Sequence, residues 1–142
     1  VSKVRTGVVL SKDGGALTKI IQPIVWGQGA PLGSGFQHIP WIHIDDLCEI
    51  YLQLVEGVIV SGVYNGVAPD HITNVRLTQL LAQSLKKSLW MPNIPSWAMY
   101  MLLGKMSSML LNGSRVSSSK LIENGFEFKY PTTTGAVASI IL

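Results

Sequence analysis

The sequence predicts an α/β fold, because strand patterns alternate with helix patterns through residues 1–88. Val4–Leu10 is an apolar, β-branched run that ends in a Ser-Lys-Asp-Gly-Gly turn, which is typical of a strand buried on both faces of a parallel sheet. Gly62–Val67 is a second strand pattern of the same kind. Helix patterns follow both strands, and this order favours right-handed crossovers between parallel neighbours.

Amphipathic helices are predicted between and after these strands. The first covers Ala16–Ile24 and should end or kink near Gln22, because Pro23 removes a backbone donor. The second begins at Asp45 and ends at Gly57. A third helix has a threonine cap followed by a leucine stripe, formed by Thr73, Leu77, Leu80, Leu81 and Leu85.

The composition limits the kind of partner. The chain has 142 residues, which is the usual size of one domain, and its charged fraction is only 13% beside a hydrophobic fraction of 47%. Little polar material is available to cover the surface, so some apolar surface should meet a partner. The net charge of +3 arises from scattered single residues, without the basic stripe that phosphate neutralisation needs. Nucleic acid is therefore not an expected partner.

The segment Gly27–Leu47, GQGAPLGSGFQHIPWIHIDDL, joins a glycine-rich loop to a strand-like Ile39–Ile44 and a pair of aspartates. Asp45 is predicted to cap the following helix, and Asp46 to place a negative charge at its N-terminus. A loop, a strand and a charged cap together could hold a ligand against the scaffold. The same residues could equally be a surface turn and a structural cap, and the local sequence leaves both interpretations open.

The pattern changes from Leu89, which predicts a small, mostly helical domain over 89–142 after a first domain over 1–88. The apolar run Trp97–Leu111 is shorter than the roughly 20 residues that span a bilayer, so no membrane partner is expected. A short helix from Ser117 should end at Asn124-Gly125 in a left-handed cap, and a final helix should cover Ala136–Leu142.

No metal site or nucleophile is predicted. The three histidines have no second histidine or cysteine at metal-ligand spacing. His43 lies between isoleucines, where a structural, hydrogen-bonded imidazole is favoured over a titrating one. The single Cys48 is expected to be a buried, inert thiol, which weakly indicates a reducing, cytoplasmic location.

Three segments in this order, VRTGVVL, GQGAPLGSGFQHIPWIHIDDL and GVYNGVAPDHITNVRLTQLLAQSL, resemble the C-terminal half of an extended short-chain dehydrogenase/reductase. Within that family they are similar to the atypical branch often labelled nucleoside-diphosphate-sugar epimerase-like or cell-division-inhibitor-like. The RVSSSKLIENGFEFKYP segment resembles the small C-terminal domain of the same branch. The resemblance implies the C-terminal part of a Rossmann-like NAD(P)-binding fold with a small helical appendage.

The family's own chemistry is absent from this sequence. The family holds the NAD(P) pyrophosphate on an N-terminal glycine-rich turn and transfers hydride with a Tyr-x-x-x-Lys pair. None of the four tyrosines here has a lysine four places on, and the glycines of the Gly27–Gly35 loop follow a helix pattern instead of a first strand. The resemblance therefore implies a fragment with no catalytic residue and no cofactor site of its own, whereas the intact parent would use NAD or NADP.

The resemblance also indicates which residues would face a small-molecule substrate in the intact protein. Two positions depart from typical sugar-nucleotide epimerases: Val8 stands where those enzymes carry an asparagine, and Ile39 lies close to where they carry a phosphate-binding arginine. Both departures argue against a nucleotide-sugar substrate. The expected substrate-facing residues are Arg5, Gly33, Ser34, Gly35, Gln37, Trp41 and His43.

Two functions remain open at this point. The chain is either the substrate-side part of an NAD(P)-dependent oxidoreductase or epimerase, whose partner is a missing N-terminal Rossmann half, or a non-catalytic binding or regulatory module on the same fold. If Val4–Leu10 and Gly62–Val67 are neighbouring strands at one end of a larger sheet, the outer edge of the first is unpaired. Pairing of that edge predicts a homo-oligomer.

Overall fold

A computed structural model describes residues 1–13, 16–27, 35–88, 95–104 and 116–141. Its strands are β1 (Lys3–Thr6), β2 (Val8–Leu10), β3 (His38–Ile39), β4 (Trp41–His43), β5 (Val63–Gly66) and β6 (Ile72–Thr73). Its helices are α1 (Ala16–Val25), α2 (Ile44–Glu56), α3 (Asn74–Ser84), α4 (Ser96–Leu103), α5 (Ser119–Glu123) and α6 (Thr133–Ile141). The predicted α/β class is confirmed.

The first strand segment changes its neighbour half-way along. β1 pairs in parallel with β5, which confirms that the two predicted strands are neighbours, and β2 pairs in parallel with β4. The change falls at Gly7, whose N–H donates to Gly66 O at 3.2 Å, while the next amide, from Val8, donates to Pro40 O at 2.8 Å. An added Cβ on Gly7 would lie 2.7 Å from Pro40 O, so the chain at Pro40 comes too close to leave room for a side chain. We call this change of strand neighbour at Gly7 the strand crossing.

Helices cover both faces of the β2–β4 pair and create two apolar cores. Trp41 faces one core and Ile42 the other, as expected when successive strand residues point to opposite faces. The first core also takes buried residues from α1, α3 and α6, and the second from α2, β5 and α5. These layers explain why Val8 and Leu10 of β2 are buried on one face and Val9 is half-buried on the other.

Burial on both faces is wrong for β1, where Lys3, Arg5 and Thr6 are exposed. Among the described residues β1 pairs only with β5 and β2 only with β4, so the other edge of both strands has no backbone partner there. β1, the half of the predicted strand with exposed side chains, therefore lies at an edge of the described sheet.

Several predicted element ends are confirmed, and others shift. Gly57 and Gly125 end their helices with φ of 73° and 87°. α1 continues past Pro23 to Val25, because its buried residues Leu17, Ile20 and Ile24 pack into the first core. The predicted cap at Thr73 makes no side-chain hydrogen bond. α6 begins at Thr133, before the predicted Ala136.

Part of the predicted tail lies outside the described residues, including 89–94 and 105–115. Pro95 occupies the N-cap position of α4, and the exposed Trp97 and Met101 lie on this helix. Among the described residues, no helix is long and apolar enough to cross a membrane.

Candidate functional site: a groove at the ends of β1 and β5

A groove of about 430 Å³ opens where β1 and β5 end. The strand crossing at Gly7 shapes it, because β4 enters beside β2 at the point where β5 leaves β1. Ligands of parallel α/β sheets usually bind at such a crevice outside the carboxyl ends of the strands. The groove is lined by Arg5, Thr6, Gly7, Pro40, Asn65, Val67, Val116 and Ser117.

Arg5 and Asn65 stand side by side in this groove. They are register partners of the β1–β5 pair, so their side chains leave the same face of the sheet. The Asn65 side-chain amide donates to Ser117 O at 3.1 Å and so fixes the segment before α5 against β5. Among the described residues, Lys129 forms an ion pair with Asp45, and no ion pair involves Arg5.

Four other residues predicted to face substrate, Gly35, Gln37, Trp41 and His43, are not part of the described lining of this groove. Gly33 and Ser34 lie outside the described residues. Gly35 O accepts from the Val75 amide at 2.8 Å, and Gln37 O accepts from the Asn74 amide at 2.9 Å. The backbone of this predicted binding loop therefore holds the N-terminus of α3. Gly35 has a positive φ of 80°, which explains why a glycine occupies this position.

Trp41 and His43 lie in the interior, with 1% and 5% of their surfaces exposed. The Trp41 indole N–H donates to Asp70 O at 3.1 Å. The structure thus gives both residues structural contacts, and among the described residues that were predicted to face substrate, Arg5 alone lines the groove.

His43 caps α2, where Asp45 was the predicted cap. The Asp45 amide donates to His43 Nδ1 at 3.0 Å, so Nδ1 is unprotonated and Nε2 carries the proton. Nε2 lies 3.0 Å from Ser139 Oγ, whose own proton goes to Ala136 O at 2.7 Å. The cap prediction for Asp45 is wrong because the preceding imidazole already accepts from the free amide.

Burial lowers the pKa of His43 below its usual 6.5, and a smaller contribution from Lys129 acts in the same direction. The carboxylates of Asp45 and Asp46 oppose this by favouring the imidazolium. Neutral His43 is also the form that the hydrogen bonds require. His43 is thus a structural histidine, whose ring caps α2 through Nδ1 and contacts Ser139 of α6 through Nε2.

Asp46 acts as a tether for the chain before α6. Its two carboxylate oxygens accept from the Lys129 amide at 2.8 Å and the Tyr130 amide at 3.0 Å, and the residue is only 2% exposed. The ring of Tyr130 stacks on His43 with centroids 3.9 Å apart. The predicted dipole role understates this carboxylate, which joins two parts of the chain 84 residues apart.

Asp70 supplies a second tether, which the sequence patterns did not indicate. Its Oδ2 accepts from the Thr133 amide at 2.9 Å and from Thr133 Oγ1 at 2.8 Å, where α6 begins. This helix is therefore capped by a residue 63 positions earlier in the chain. A local pattern could have found a cap next to the helix, but this one becomes visible only in the folded chain.

A second groove, of about 450 Å³, has an acidic lining: Asp45, Asp46, Glu49, Gln53, Gly125, Glu127 and Lys129. Within the described residues, no group of histidine, cysteine and acidic side chains is arranged to hold a metal ion. Cys48 is exposed, so the prediction of a buried thiol is wrong. The buried positions of α2 are Asp46 and Ile50, and Cys48 lies on the opposite side of that helix.

The comparisons with known proteins agree with this fold. A protein-family profile described as a domain of unknown function (DUF1731) matches residues 94–140. The "epimerase family protein SDR39U1 homolog, chloroplastic" of Arabidopsis thaliana is 38% identical over 141 residues, which are 99% of this chain and 40% of that protein. The human epimerase family protein SDR39U1 is 37% identical over 97% of this chain and 47% of its own length.

Solved structures extend the comparison. The crystal structure of human SDR39U1 (isoform 2) with NADPH matches with a TM-score of 0.88 at 37% identity, over 97% of this chain and 47% of that one. A UDP-glucose 4-epimerase from Thermus thermophilus in complex with NAD matches with a TM-score of 0.68 over 97% of this chain and 44% of that one. At 17% identity, that second match shows the fold alone.

These findings define the class first: the chain has the fold of the C-terminal part of NAD(P)-binding Rossmann-like epimerases. They also confirm the particular resemblance, to the C-terminal half of an epimerase-family extended short-chain dehydrogenase/reductase. The chain spans about half the length of the relatives it matches, from 40% of the plant protein to 47% of the human one.

Proposed function

We propose that this chain is the substrate-side part of an NAD(P)-dependent oxidoreductase or epimerase, which becomes active only together with a nucleotide-binding Rossmann half. The observation that carries the proposal is the match, at 37% identity, to 47% of a human protein solved with NADPH. This chain lacks the Tyr-x-x-x-Lys pair that performs hydride chemistry in the resembled family. The reacting groups and the cofactor would therefore come from the other half.

The unpaired edge of β1 and β2 supports this division of labour. A sheet edge with free N–H and C=O groups readily accepts another strand, and a strand of the Rossmann half would complete the sheet there. The groove beside Arg5 would then lie between the two halves, with its small-molecule substrate close to the cofactor. The proposed units are 1–88, which carries the sheet and most of the described groove lining, and 89–142, which carries the appendage and adds Val116 and Ser117 to that lining.

The proposal predicts that the isolated chain binds neither NADH nor NADPH, because no pyrophosphate-holding turn is present. Calorimetric titration with each nucleotide should give no heat of binding, whereas a parent protein that contains both halves should bind one of them. Micromolar binding by the isolated chain would overturn the division of labour. The cytoplasmic location remains part of the proposal, and cell fractionation of a tagged parent would test it.

A non-catalytic binding module is the second candidate. The observation that favours it is that both apolar cores are built from this chain's own described residues. A module would be a well-behaved monomer of 15.4 kDa in sedimentation. The fragment proposal instead predicts a homo-oligomer, because the open edge and the exposed apolar residues Trp26 and Phe36 would find cover in a second copy.

A further inference from the structure

We propose that the groove beside Arg5 binds the carboxylate or phosphate group of a small molecule with an apolar body. The guanidinium of Arg5 would hold the anionic group, with hydroxyl and amide support from Thr6, Asn65 and Ser117. This inference rests on the proposed function, since it names the chemical class of substrate for the same groove. It also makes a claim that can be tested on this chain alone.

The described lining carries a positive charge that a ligand anion can meet. Arg5 is the only ionisable residue in the described lining, so no carboxylate competes with a ligand for its guanidinium. Arg5 is exposed and takes part in no described ion pair. An arginine presents a planar fork of donors that matches the oxygens of a carboxylate or phosphate, and such charge-assisted pairs are stronger than neutral hydrogen bonds.

The groups around the guanidinium also favour an anion. Asn65 is held in place by its hydrogen bond to Ser117 O, so the polar wall beside Arg5 is fixed before a ligand arrives. Lys3 is on the same strand, two residues before Arg5, and Lys120 Nζ lies 2.9 Å from Val63 O on the neighbouring strand. These cations add a positive field along the β1–β5 pair, which favours the approach of an anion.

The remaining lining sets the body of the ligand. Pro40, Val67 and Val116 form the apolar part of the described lining, which we call its apolar wall. Its volume of about 430 Å³ is in the range of small-molecule sites. A molecule with one anionic group and a short hydrocarbon body would use both walls, whereas a bare anion would use only the polar one.

The test is a titration of the 142-residue chain with sodium hexanoate, sodium acetate and inorganic phosphate. Nuclear magnetic resonance shifts of the backbone amides report the binding. Hexanoate should bind more tightly than acetate and should shift the amides of Thr6, Gly7 and Val67. If phosphate binds more tightly than acetate, the anionic group is a phosphate; the reverse order assigns a carboxylate, because neither of these two probes has a hydrocarbon body that could bias the comparison. Absence of saturable shifts with all the probes would overturn the proposal.

Matched variants separate a specific site from general charge. Arg5→Gln should weaken binding by about tenfold or more, as expected for the loss of a charge-assisted pair. Lys3→Gln removes the same charge from the same strand but lies outside the lining, so it should weaken binding by less than about twofold. Arg5→Lys should fall between them, because it keeps the charge and loses the fork. Equal losses in Arg5→Gln and Lys3→Gln would mean a diffuse field and would overturn the site.

Failure of this inference can be told apart from failure of the proposed function. If no probe binds but a parent protein with both halves still reduces or oxidises a substrate with NAD(P), only the anion assignment falls. If the probes bind at Arg5 but such a parent neither binds nor turns over NAD(P), the groove remains an anion site and the binding-module function replaces the enzymatic one.

Discussion

The groove beside Arg5 and the junction formed by His43, Asp46 and Asp70 both contain polar residues next to strand ends. The two regions differ in whether these residues have partners within the chain. At the junction the polar groups of His43, Asp46 and Asp70 all find partners within the chain. At the groove the guanidinium of Arg5 is exposed and makes no described ion pair.

This difference indicates which polar residues stabilise the fold and which are available to bind a ligand. A buried carboxylate without partners is costly, so the buried Asp46 of the junction has to be satisfied by the fold. An exposed cation pays no such desolvation penalty and can stay free until a ligand arrives. Changes at the junction should therefore lower the free energy of unfolding, and changes at the groove should lower binding or turnover.

The largest effect on stability is expected from Asp46→Ala. The backbone amides of Lys129 and Tyr130 would lose the charged acceptor that the buried Asp46 gives them, and the free energy of unfolding should fall by about 3 kcal/mol. Urea denaturation followed by circular dichroism would measure it. The neighbouring Asp45→Ala is the matched control, because that side chain is 53% exposed and should change stability by less than about 1 kcal/mol. Equal losses would remove the distinction between tether and surface acid.

A somewhat smaller loss is expected from Gly7→Ala, which probes the crossing that shapes the groove. The new methyl group would lie 2.7 Å from Pro40 O, so the strands must move apart at a cost of about 1–3 kcal/mol. Urea denaturation would again report it. Unchanged stability would mean that the crossing can widen freely, and the groove could not then be considered preformed.

The pH dependence of stability should identify His43 as the titrating member of the junction. Its pKa is lowered in the folded state, so the unfolded chain takes up the proton first as the pH falls. The stabilisation is therefore complete above the unfolded pKa of about 6.5 and declines as the pH falls from there towards the folded pKa.

Urea denaturation at pH 7.5 and pH 5.5 would show this decline, and His43→Asn should reduce it, since asparagine can still cap α2 but does not titrate. The exposed His71 gives the control, because His71→Gln should keep the decline of the unchanged protein. A decline of the same size in all these proteins would assign the pH dependence to other groups.

The smallest effect on stability is expected at the groove itself. Arg5→Gln should change the free energy of unfolding by no more than about 0.5 kcal/mol, because an exposed side chain without an ion pair contributes little to folding. In a parent enzyme the same change should lower turnover by about tenfold or more if the guanidinium holds substrate. A variant that is clearly unstable yet fully active would show that Arg5 is structural.

Much of the fold could be predicted from sequence, because strand and helix patterns are local. The pairing of β1 with β5 and the glycine ends of α2 and α5 follow from apolar runs and from residues that tolerate positive φ. The exposure of Cys48 was not predicted, because this residue follows an apolar leucine in the sequence. The helical turn, however, places Cys48 opposite the buried Ile50.

The candidate site was harder to predict, because its geometry depends on contacts between distant parts of the chain. The resemblance brought Arg5 forward, but the neighbouring Asn65 and Ser117 join it only through sheet register and one side-chain hydrogen bond. Trp41 and His43 were expected to face substrate, yet burial against α6 and the Asp70 turn directs both inward. No local pattern carries that information, since it depends on which layer covers the strand.

The cap that Asp70 gives to α6 also bears on how the chain folds. The amide of Thr133, in the first turn of this helix, gains its protein acceptor Asp70 only when the turn between β5 and β6 has formed. Its apolar face meets residues of β2 and α3 in the first core, so the end of the chain gains little stability by itself. The C-terminal helix and the sheet should thus gain protection from hydrogen exchange together, as one cooperative unit.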